Sequence, residues 1–301
     1  MLLVIGDAVH ETVVDLRAAP PRGGIGAAHI THRRGGSAAN IAAFSAGART
    51  KARFAGQVGD DHTGAFLIND LGQHGVDVRA ARQGRSASAV IVRSNGTTTR
   101  LVDRASATQL TTLDSSLLTG VAIVHLPSTS LSVEPLATAV EDLVGEAVER
   151  GIPITIDAAG IATIDEFGAT QMRSLIAHLR PAAFFCNRIE AQRLGLAGRD
   201  AMPGAQHTII TAGASPTIVV HGDGTARSYP VTPVATVVDR DGVGDAFITG
   251  YLVGLLAGQP VGTCVRAGHL LASRVLGHAG PRVTPMRSEA NESEAVLSTM
   301  S

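Results

Sequence analysis

The chain alternates short apolar runs with longer amphipathic stretches. Runs such as Leu2–Ile5, Val121–His125 and His207–Ile210 are short and mostly apolar, which is typical of strands buried on both faces of a parallel sheet. Between such runs, stretches such as Leu136–Arg150 place apolar residues at helical spacing. This alternation predicts an α/β fold in which helices cover both faces of a mostly parallel sheet.

The same two patterns predict the remaining elements of the main sheet and its helices. Further strands are predicted at Arg53–Val58, Ile152–Ile156 and Ala182–Phe185, followed by a hairpin of Thr217–Val220 with Ala226–Tyr229. Further helices are predicted at Ser37–Gly47, His62–His74, Gly168–Leu179, Ile189–Leu194 and Val261–Leu276. No internal repeat interrupts this order.

Two regions depart from the alternation and predict a second, smaller sheet. Thr12–Leu16 with Ala27–His32, and Ala87–Arg93 with Thr97–Asp103, alternate apolar and polar residues as half-exposed antiparallel strands do. The dipeptide Asn95-Gly96, between the second pair, is the sequence that a two-residue hairpin turn prefers. We therefore expect a small sheet that stands off the main one, within about residues 11–33 and 87–103.

Composition narrows the classes of function. Apolar residues make up 45% of the 301 residues and charged residues 17%, as in soluble globular proteins. A formal net charge of −1 and an aromatic content of 3% argue against nucleic acid and anionic membranes as partners. We expect one large domain over residues 1–285 and a polar tail over residues 286–301.

Targeting and redox signals are weak in this sequence. No stretch approaches the length of a membrane span, and Met1–Ile5 is too short, and lacks the basic flank, for a signal peptide. Cys186 and Cys264 show no metal-ligand spacing, so we expect reduced thiols. These observations predict a cytoplasmic protein.

Two nucleotide-binding motifs are absent. Lys51 is the only lysine, so the Gly-Lys-Ser/Thr end of a Walker A loop cannot be formed. No strand is followed by Gly-x-Gly-x-x-Gly, which gives a dinucleotide-binding fold no support. Phosphates bound by this chain would have to be held by backbone amides, metal or arginine.

The most informative segment reads Asp-Arg-Asp-Gly-Val-Gly-Asp-Ala-Phe over residues 239–247. Its glycines precede an apolar helical pattern, and the free N–H groups at a helix start attract anions such as phosphate. Asp245 lies in this cradle, where a carboxylate can take a proton from an attacking hydroxyl. The alternative is an ordinary helix start capped by an acidic residue.

Five motifs occur in a fixed order. They are Gly-Gly-Ser-Ala-Ala-Asn at 35–40, Val-Gly-Asp-Asp at 58–61 with Gly64, Asp103-Arg104, Asn-Arg-Ile-Glu at 187–190, and Asp-Gly-Val-Gly-Asp at 241–245. In this order and spacing the chain resembles the ribokinase-like (PfkB) carbohydrate kinase family, from Leu3 to about Pro285. The resemblance implies a three-layer αβα sandwich with a small β-sheet lid over the substrate. It also implies ATP-dependent phosphorylation of a sugar or nucleoside hydroxyl, and a homodimer that forms through the lid.

The resemblance assigns the catalytic base to Asp245 and the anion hole to the backbone of Gly242, Val243 and Gly244. Val243 stands where relatives carry Ala, which changes little because the backbone binds. Asp241 replaces a position that is commonly Thr, and its charge should repel a triphosphate unless a neighbour such as Arg240 neutralises it. The helix-start setting of Asp245 is expected to keep it ionised.

The resemblance also assigns the residues that would bind the metal ions and the nucleotide. Asn187 and Glu190 match an Asn-x-x-Glu pair that would organise Mg²⁺ beside the ATP phosphates. Asp239 would either help to bind a monovalent cation such as K⁺ or cap the turn. Thr211, Gly213 and His269 would border the nucleotide.

The resemblance assigns the substrate side to Gly36 and Asn40, with close packing and a backbone hydrogen bond as the alternative roles. Glu11 stands where relatives carry a sugar-binding Asp, so either the substrate is shifted or Asp7 takes that role. Arg104 would reach an anionic substrate group, unless it is simply exposed. The few aromatic residues favour a sugar over a nucleoside, and a catalytically idle, ligand-binding relative is the remaining alternative.

Overall fold

A computed structural model of the chain describes residues 1–19, 22–196, 199–231, 233–234 and 236–281. The described residues form thirteen strands and eight α-helices. The predicted tail over residues 286–301 lies outside the described residues, and the domain boundary at residue 285 stays a prediction.

The strands are β1 (Leu2–Ile5), β2 (Val9–Leu16), β3 (Ala28–Gly35), β4 (Ala52–Val58), β5 (Asp77–Arg82), β6 (Ser88–Ser94), β7 (Thr97–Asp103), β8 (Ile123–Pro127), β9 (Ile154–Asp157), β10 (Ala183–Asn187), β11 (His207–Ala212), β12 (Ser215–His221) and β13 (Ala226–Tyr229). The helices are α1 (Ser37–Gly47), α2 (His62–Gln73), α3 (Leu136–Glu149), α4 (Ile161–Phe167), α5 (Ala169–Leu179), α6 (Arg188–Arg193), α7 (Val243–Leu256) and α8 (Val261–Leu276). Short 3₁₀ turns lie at Ala105–Thr108, Ser115–Leu118 and Ser128–Leu131.

The main sheet has nine strands in the order β5-β4-β1-β8-β9-β10-β11-β12-β13. The first seven strands in this order are parallel, and the last two add an antiparallel hairpin. The prediction of a mostly parallel α/β sheet is confirmed. The carboxyl ends of the parallel strands meet along one edge of the sheet, where open α/β folds bind ligands.

Each face of the main sheet buries its own apolar core. Alternate residues of β1 divide between the two cores, because successive side chains of a strand point to opposite faces. Leu2 and Val4 pack with apolar residues of α1, α2, α7 and α8, whereas Leu3 and Ile5 pack with those of α3, α4, α5 and α6. The molecule therefore has three layers, with helices on both sides of the sheet.

The smaller sheet has four strands in the order β3-β2-β6-β7, with β2 and β6 parallel to each other. The predicted hairpin turn is present: Asn95 and Gly96 have φ of 48° and 77°, the left-handed values that the tight turn requires. One face of this sheet buries Val9, Ala89 and Ile91. This sheet is called the lid below.

Two elements had no counterpart among the predictions. β5 is an edge strand with a polar sequence and no fully buried residue, so it carries little apolar signal. α4 spans seven residues, too few for a clear helical repeat. In the described part of the chain, no helix has the length and apolar character needed to cross a membrane.

Candidate active site

A cleft of about 480 Å³ lies between the lid and the carboxyl edge of the main sheet. Its walls come from strand ends, from the starts of α1, α6 and α7, and from the lid. Its lining includes Asp7, Val9, Glu11, Gly36, Ser37, Asn40, Ala89, Ile91, Arg100, Val102, Asp157, Asn187, Glu190, Thr211, Arg240, Asp241, Gly242, Gly244, Asp245 and Phe247.

The start of α7 forms one end of this cleft. Gly242 has a φ of +76°, and a Cβ at this residue would lie 2.6 Å from the Cβ of Pro281, so only glycine fits without strain. Val243, Gly244 and Asp245 are the first three residues of α7, where backbone N–H groups have no acceptor within the helix. A Cβ at Gly244 would meet no described atom within 4 Å. The Val243 N–H donates to the Arg240 carbonyl oxygen at 3.4 Å, but the N–H groups of Gly244 and Asp245 have no acceptor among the described residues. These two donors, with the open space beside Gly244, can receive an anion.

Asp245 is held in place by two side chains of α1. The Ser37 hydroxyl donates to its Oδ1 at 2.7 Å, and the Asn40 amide donates to its Oδ2 at 2.8 Å. Asn40 is fixed in turn by Arg34, whose Nη1 donates to the Asn40 Oδ1 at 2.6 Å. The motif at residues 35–40 and the motif at residues 241–245 thus meet at the carboxylate of Asp245.

The backbone before α1 makes this meeting possible. Gly36 precedes the helix with a φ of +91°, and a Cβ there would lie 2.4 Å from the carbonyl oxygen of Asp7. Gly36 lets the chain pass this close to β1 and turn directly into α1.

Asn187 and Glu190 form a capping box at the start of α6. Asn187 Oδ1 accepts from the backbone N–H groups of Ile189 and Glu190, and a Glu190 carboxylate oxygen accepts from the Asn187 N–H at 2.6 Å. Burial raises the pKa of Glu190, and the negative charge of Asp157 raises it further. Two carboxylates therefore face the same part of the cleft.

Asp157 ends strand β9 and is 6% exposed. The fully buried His125 lies beside it, with Nε2 3.2 Å from the Asp157 Oδ2 and Nδ1 2.9 Å from the Thr155 hydroxyl. His125 is therefore a core residue. Sequence reasoning missed Asp157, although a carboxylate that ends a buried strand at the carboxyl edge was a signal that could have found it.

The sequence of residues 1–287 matches the model of the family described as pfkB family carbohydrate kinase. The chain belongs to this family. The kinase is also 29% identical over 265 residues to the ATP-dependent 6-phosphofructokinase of Thermoanaerobacterium thermosaccharolyticum, a match that covers 82% of this chain and 80% of that protein. The family and this relative identify the protein as a phosphotransferase.

Solved structures show the same fold. A probable sugar kinase from Rhizobium etli CFN 42 is similar with a TM-score of 0.84, 20% identity and 98% coverage of both chains. The adenosine kinase from Sinorhizobium meliloti is similar with a TM-score of 0.82, 19% identity and 98% coverage of both chains. The predicted ribokinase-like sandwich with a small second sheet is confirmed.

In this kinase, burial raises the pKa of Asp245 to about 6, although the hydrogen bonds from Asn40 and Ser37 lower it and the charge of Asp157 raises it. The expectation that the helix start keeps Asp245 ionised left out this burial. At pH 7 a group with this pKa is still mostly ionised, so Asp245 can accept a proton there.

The pH profile should report this pKa. With Asp245 as the base, as proposed in the next subsection, we expect kcat/KM to fall about tenfold per pH unit below pH 6, because only the ionised carboxylate accepts a proton. Ser37→Ala should move this acid limb to higher pH, because it removes a hydrogen bond that favours the ionised form. Initial rates between pH 4.5 and 8.5, with stability checked at each pH, test this. An acid limb that stays in place in the Ser37 variant would contradict it.

The predicted substrate-side carboxylates are both paired with arginine. Arg104 makes two hydrogen bonds to Asp7, at 2.8 and 3.0 Å, and a third to the carbonyl oxygen of Thr129. Arg104 is therefore not simply an exposed arginine, and its predicted contact with an anionic substrate group stays a prediction. Glu11 accepts from Arg33 Nε at 2.7 Å. Asn40 is bonded to side chains, so the backbone-bonded alternative for it was wrong.

Arginines of the lid, rather than Arg240, neutralise Asp241. Its carboxylate contacts Arg33 at 2.6 Å, Arg93 at 2.5 Å and also Arg100. The neighbouring Asp239 accepts from Arg93 and from the backbone N–H groups of Asp241 and Gly280. These contacts favour the turn-capping role of Asp239 over the monovalent-cation role.

The predicted nucleotide-side residues lie apart from one another. Thr211 lines the cleft, whereas neither Gly213 nor His269 is among the described residues of its wall. His269 lies 2.8 Å from the hydroxyl of the buried Thr217 and packs on Phe247.

The motif at residues 58–61 is structural. Burial tends to raise the pKa of Asp61, but hydrogen bonds from Ser86 and from the Gly64 N–H lower it to about 2. Asp61 therefore caps α2 as a carboxylate and ties it to the segment that enters β6.

Proposed function

We propose that this kinase transfers the γ-phosphoryl group of ATP to a hydroxyl of a small sugar, with Asp245 as the base. The observation that carries this proposal is the position of Asp245 in the first turn of α7, inside the cleft, held by Ser37 and Asn40. A carboxylate fixed next to free backbone donors can orient a hydroxyl towards a phosphoryl group bound by those donors.

The backbone at the start of α7 would stabilise the phosphoryl group during transfer. The N–H groups of Gly244 and Asp245 lie at the positive end of the helix, beside the open space at Gly244. Asp245 would orient the acceptor hydroxyl and take its proton as the oxygen attacks phosphorus. Ser37 and Asn40 would keep both carboxylate oxygens in a single orientation through these steps.

The residues around Glu190 fit a magnesium ion. Glu190 and Asp157 supply carboxylate oxygens to one part of the cleft, and a cation there would offset the burial and the repulsion from Asp157 that together raise the pKa of Glu190. No group of three or more His, Cys, Asp or Glu side chains forms a complete metal cage within the described residues. Mg²⁺ commonly takes one or two carboxylates together with phosphate oxygens and water, and Glu190 and Asp157 would supply those carboxylates.

Asn187 is a weaker candidate for the metal than Glu190. Its amide oxygen already accepts two backbone N–H groups, so its remaining role would be to hold α6 and Glu190 in place. When bound, Mg²⁺ would neutralise charge on the ATP phosphates.

The acceptor side of the cleft supports a polyhydroxylated substrate. Asp7, Glu11 and Asn40 line it together, and their oxygens and amide can pair with vicinal hydroxyls. The phosphofructokinase relative acts on a sugar phosphate by its name, which adds fructose 6-phosphate to the candidate acceptors.

A nucleoside acceptor is the second candidate. The lid contributes an apolar wall of Val9, Ala89, Ile91 and Val102, and such a wall can receive a base. The fold shared with the Sinorhizobium meliloti adenosine kinase is compatible with this substrate.

An ATP-consumption assay separates these candidates. Ribose, fructose, fructose 6-phosphate, 2-keto-3-deoxygluconate, adenosine and cytidine would each be tested with Mg·ATP, with thermal shifts measured in parallel. Turnover of a sugar supports the proposal, and turnover of nucleosides alone would replace it with the second candidate. Stabilisation by ligands without turnover of any acceptor would indicate a catalytically idle binding protein.

We also propose that the kinase is a cytoplasmic homodimer that forms through the lid, with ATP supplied by the cytoplasm. The lid face that points away from the cleft exposes Ile30, Val90 and Leu101, which are 55%, 39% and 61% exposed. A second copy would bury this apolar face. Sedimentation should show a dimer for the wild type and a monomer for Leu101→Asp. A wild-type monomer at micromolar concentration would contradict this proposal.

A further inference from the structure

Three lid strands each send one arginine to the loop before α7. Arg33 comes from β3, Arg93 from β6 and Arg100 from β7, and all three contact the carboxylate of Asp241. The Asp241 side chain is only 13% exposed. Gly242, which follows Asp241 directly, begins the proposed anion hole. The lid is thus bound by charge to the segment that would meet the donor phosphates.

The arginines of this cluster are fully matched by carboxylates without a ligand. Arg33, Arg93 and Arg100 face Glu11, Asp15, Asp239 and Asp241, three cations against four anions. A triphosphate that binds beside Gly242 brings several more negative charges next to Asp241. Phosphate oxygens and Asp241 would then compete for the same guanidinium groups.

The three arginines differ in how firmly they are held. Arg33 also pairs with Glu11 at 2.7 Å, and Arg93 also pairs with Asp239 at 3.0 Å. For Arg100, the only carboxylate partner among the described residues is Asp241, and its side chain is 49% exposed. Arg100 also lines the cleft together with Gly242, Gly244 and Asp245. Of the three arginines, Arg100 therefore loses the fewest ion pairs when it moves.

We propose that Arg100 pairs with Asp241 beside the anion hole as long as no nucleotide is bound. When nucleotide binds, Arg100 leaves Asp241 and contacts the donor phosphates instead. This inference rests on the proposed function and adds a catalytic residue from the lid to it. The guanidinium fork can contact two phosphate oxygens at once. Because Arg100 belongs to β7, the exchange also couples the position of the lid to the presence of nucleotide.

Calorimetric titration of a double-mutant cycle tests the exchange. Wild type, Arg100→Gln, Asp241→Asn and the double variant would be titrated with the β,γ-imido analogue of ATP and with inorganic tripolyphosphate. Arg85→Gln is the matched control, because Arg85 pairs with Asp103 at the exposed end of the same lid, outside the cleft. Thermal unfolding of each variant confirms that the fold is kept.

Asp241→Asn should raise the affinity for both ligands about tenfold, because it removes a negative charge that repels phosphate and competes for Arg100. In the wild-type background, where Arg100 must first leave Asp241, Arg100→Gln should lower the affinity for both ligands about threefold. In the Asp241→Asn background the same substitution should lower it about thirtyfold. Arg85→Gln should leave binding unchanged.

The proposed exchange would be overturned if the two substitutions had additive effects on the free energy of ligand binding. It would also be overturned if Arg100→Gln bound both ligands as tightly as the wild type. Failure of the wild type to bind either ligand would instead overturn the proposed function, and this inference with it.

Discussion

Asp245→Asn is expected to lower kcat by at least about 10³-fold while the affinity for a non-hydrolysable ATP analogue stays within about threefold. The amide keeps the size of the side chain and can still accept one hydrogen bond from Ser37 or Asn40, but it cannot take the proton of the acceptor hydroxyl. Steady-state kinetics and calorimetry of the same preparations measure the two quantities. An equal loss of turnover and nucleotide affinity would show that Asp245 has a structural role.

The same substitution should raise the free energy of unfolding at pH 7.5. The pKa of Asp245 is raised to about 6 in the folded protein, so ionisation above this pH costs stability. This cost is absent below the unfolded pKa of about 3.9 and complete above about pH 6. Chemical denaturation should therefore show that Asp245→Asn raises the free energy of unfolding, relative to the wild type, more at pH 7.5 than at pH 4. The exposed Asp223→Asn serves as control and should leave kcat unchanged.

Gly244→Ala is expected to lower kcat/KM about 100-fold without loss of stability. The added methyl group meets no described atom within 4 Å, so the fold accepts it, but it occupies the space beside the backbone donors that the phosphoryl group needs. A helical Gly→Ala change by itself stabilises by about 0.5–1 kcal/mol. Kinetics together with thermal unfolding test both parts.

Gly145→Ala provides the matched control for this variant. Gly145 lies within α3, outside the cleft wall, and its added methyl group also meets no atom of the described residues within 4 Å. It should gain similar stability and keep full activity. Full activity in Gly244→Ala would contradict the proposed anion hole.

Most elements could be predicted because their signals are local. The prediction of α8 at Val261–Leu276 and of β7 at Thr97–Asp103 agrees with the structure at both ends. Apolar spacing decides such elements within a few turns or a single strand. β5 was missed because an edge strand needs little apolar surface, so its pairing with β4 left no clear pattern in the sequence.

The site was only partly predictable. Gly36, Asn40, Gly242 and Asp245 were identified from motifs, and the structure brings them to one cleft. Ser37 lay inside the first motif and was passed over, although its hydroxyl holds Asp245. Its role depends on the distance between α1 and α7, which sequence spacing does not give.

The sequence by itself determined the family, the order of the strands and helices apart from β5 and α4, and the glycines that shape the start of α7. These depend on residues that are neighbours along the chain. Only the tertiary structure decided which charges meet. Asp241 is 208 residues from Arg33, 148 from Arg93 and 141 from Arg100, yet its carboxylate contacts all three. Packing of the lid against the main sheet joins them, and burial in that cleft, rather than the residue type, raises the pKa of Asp245.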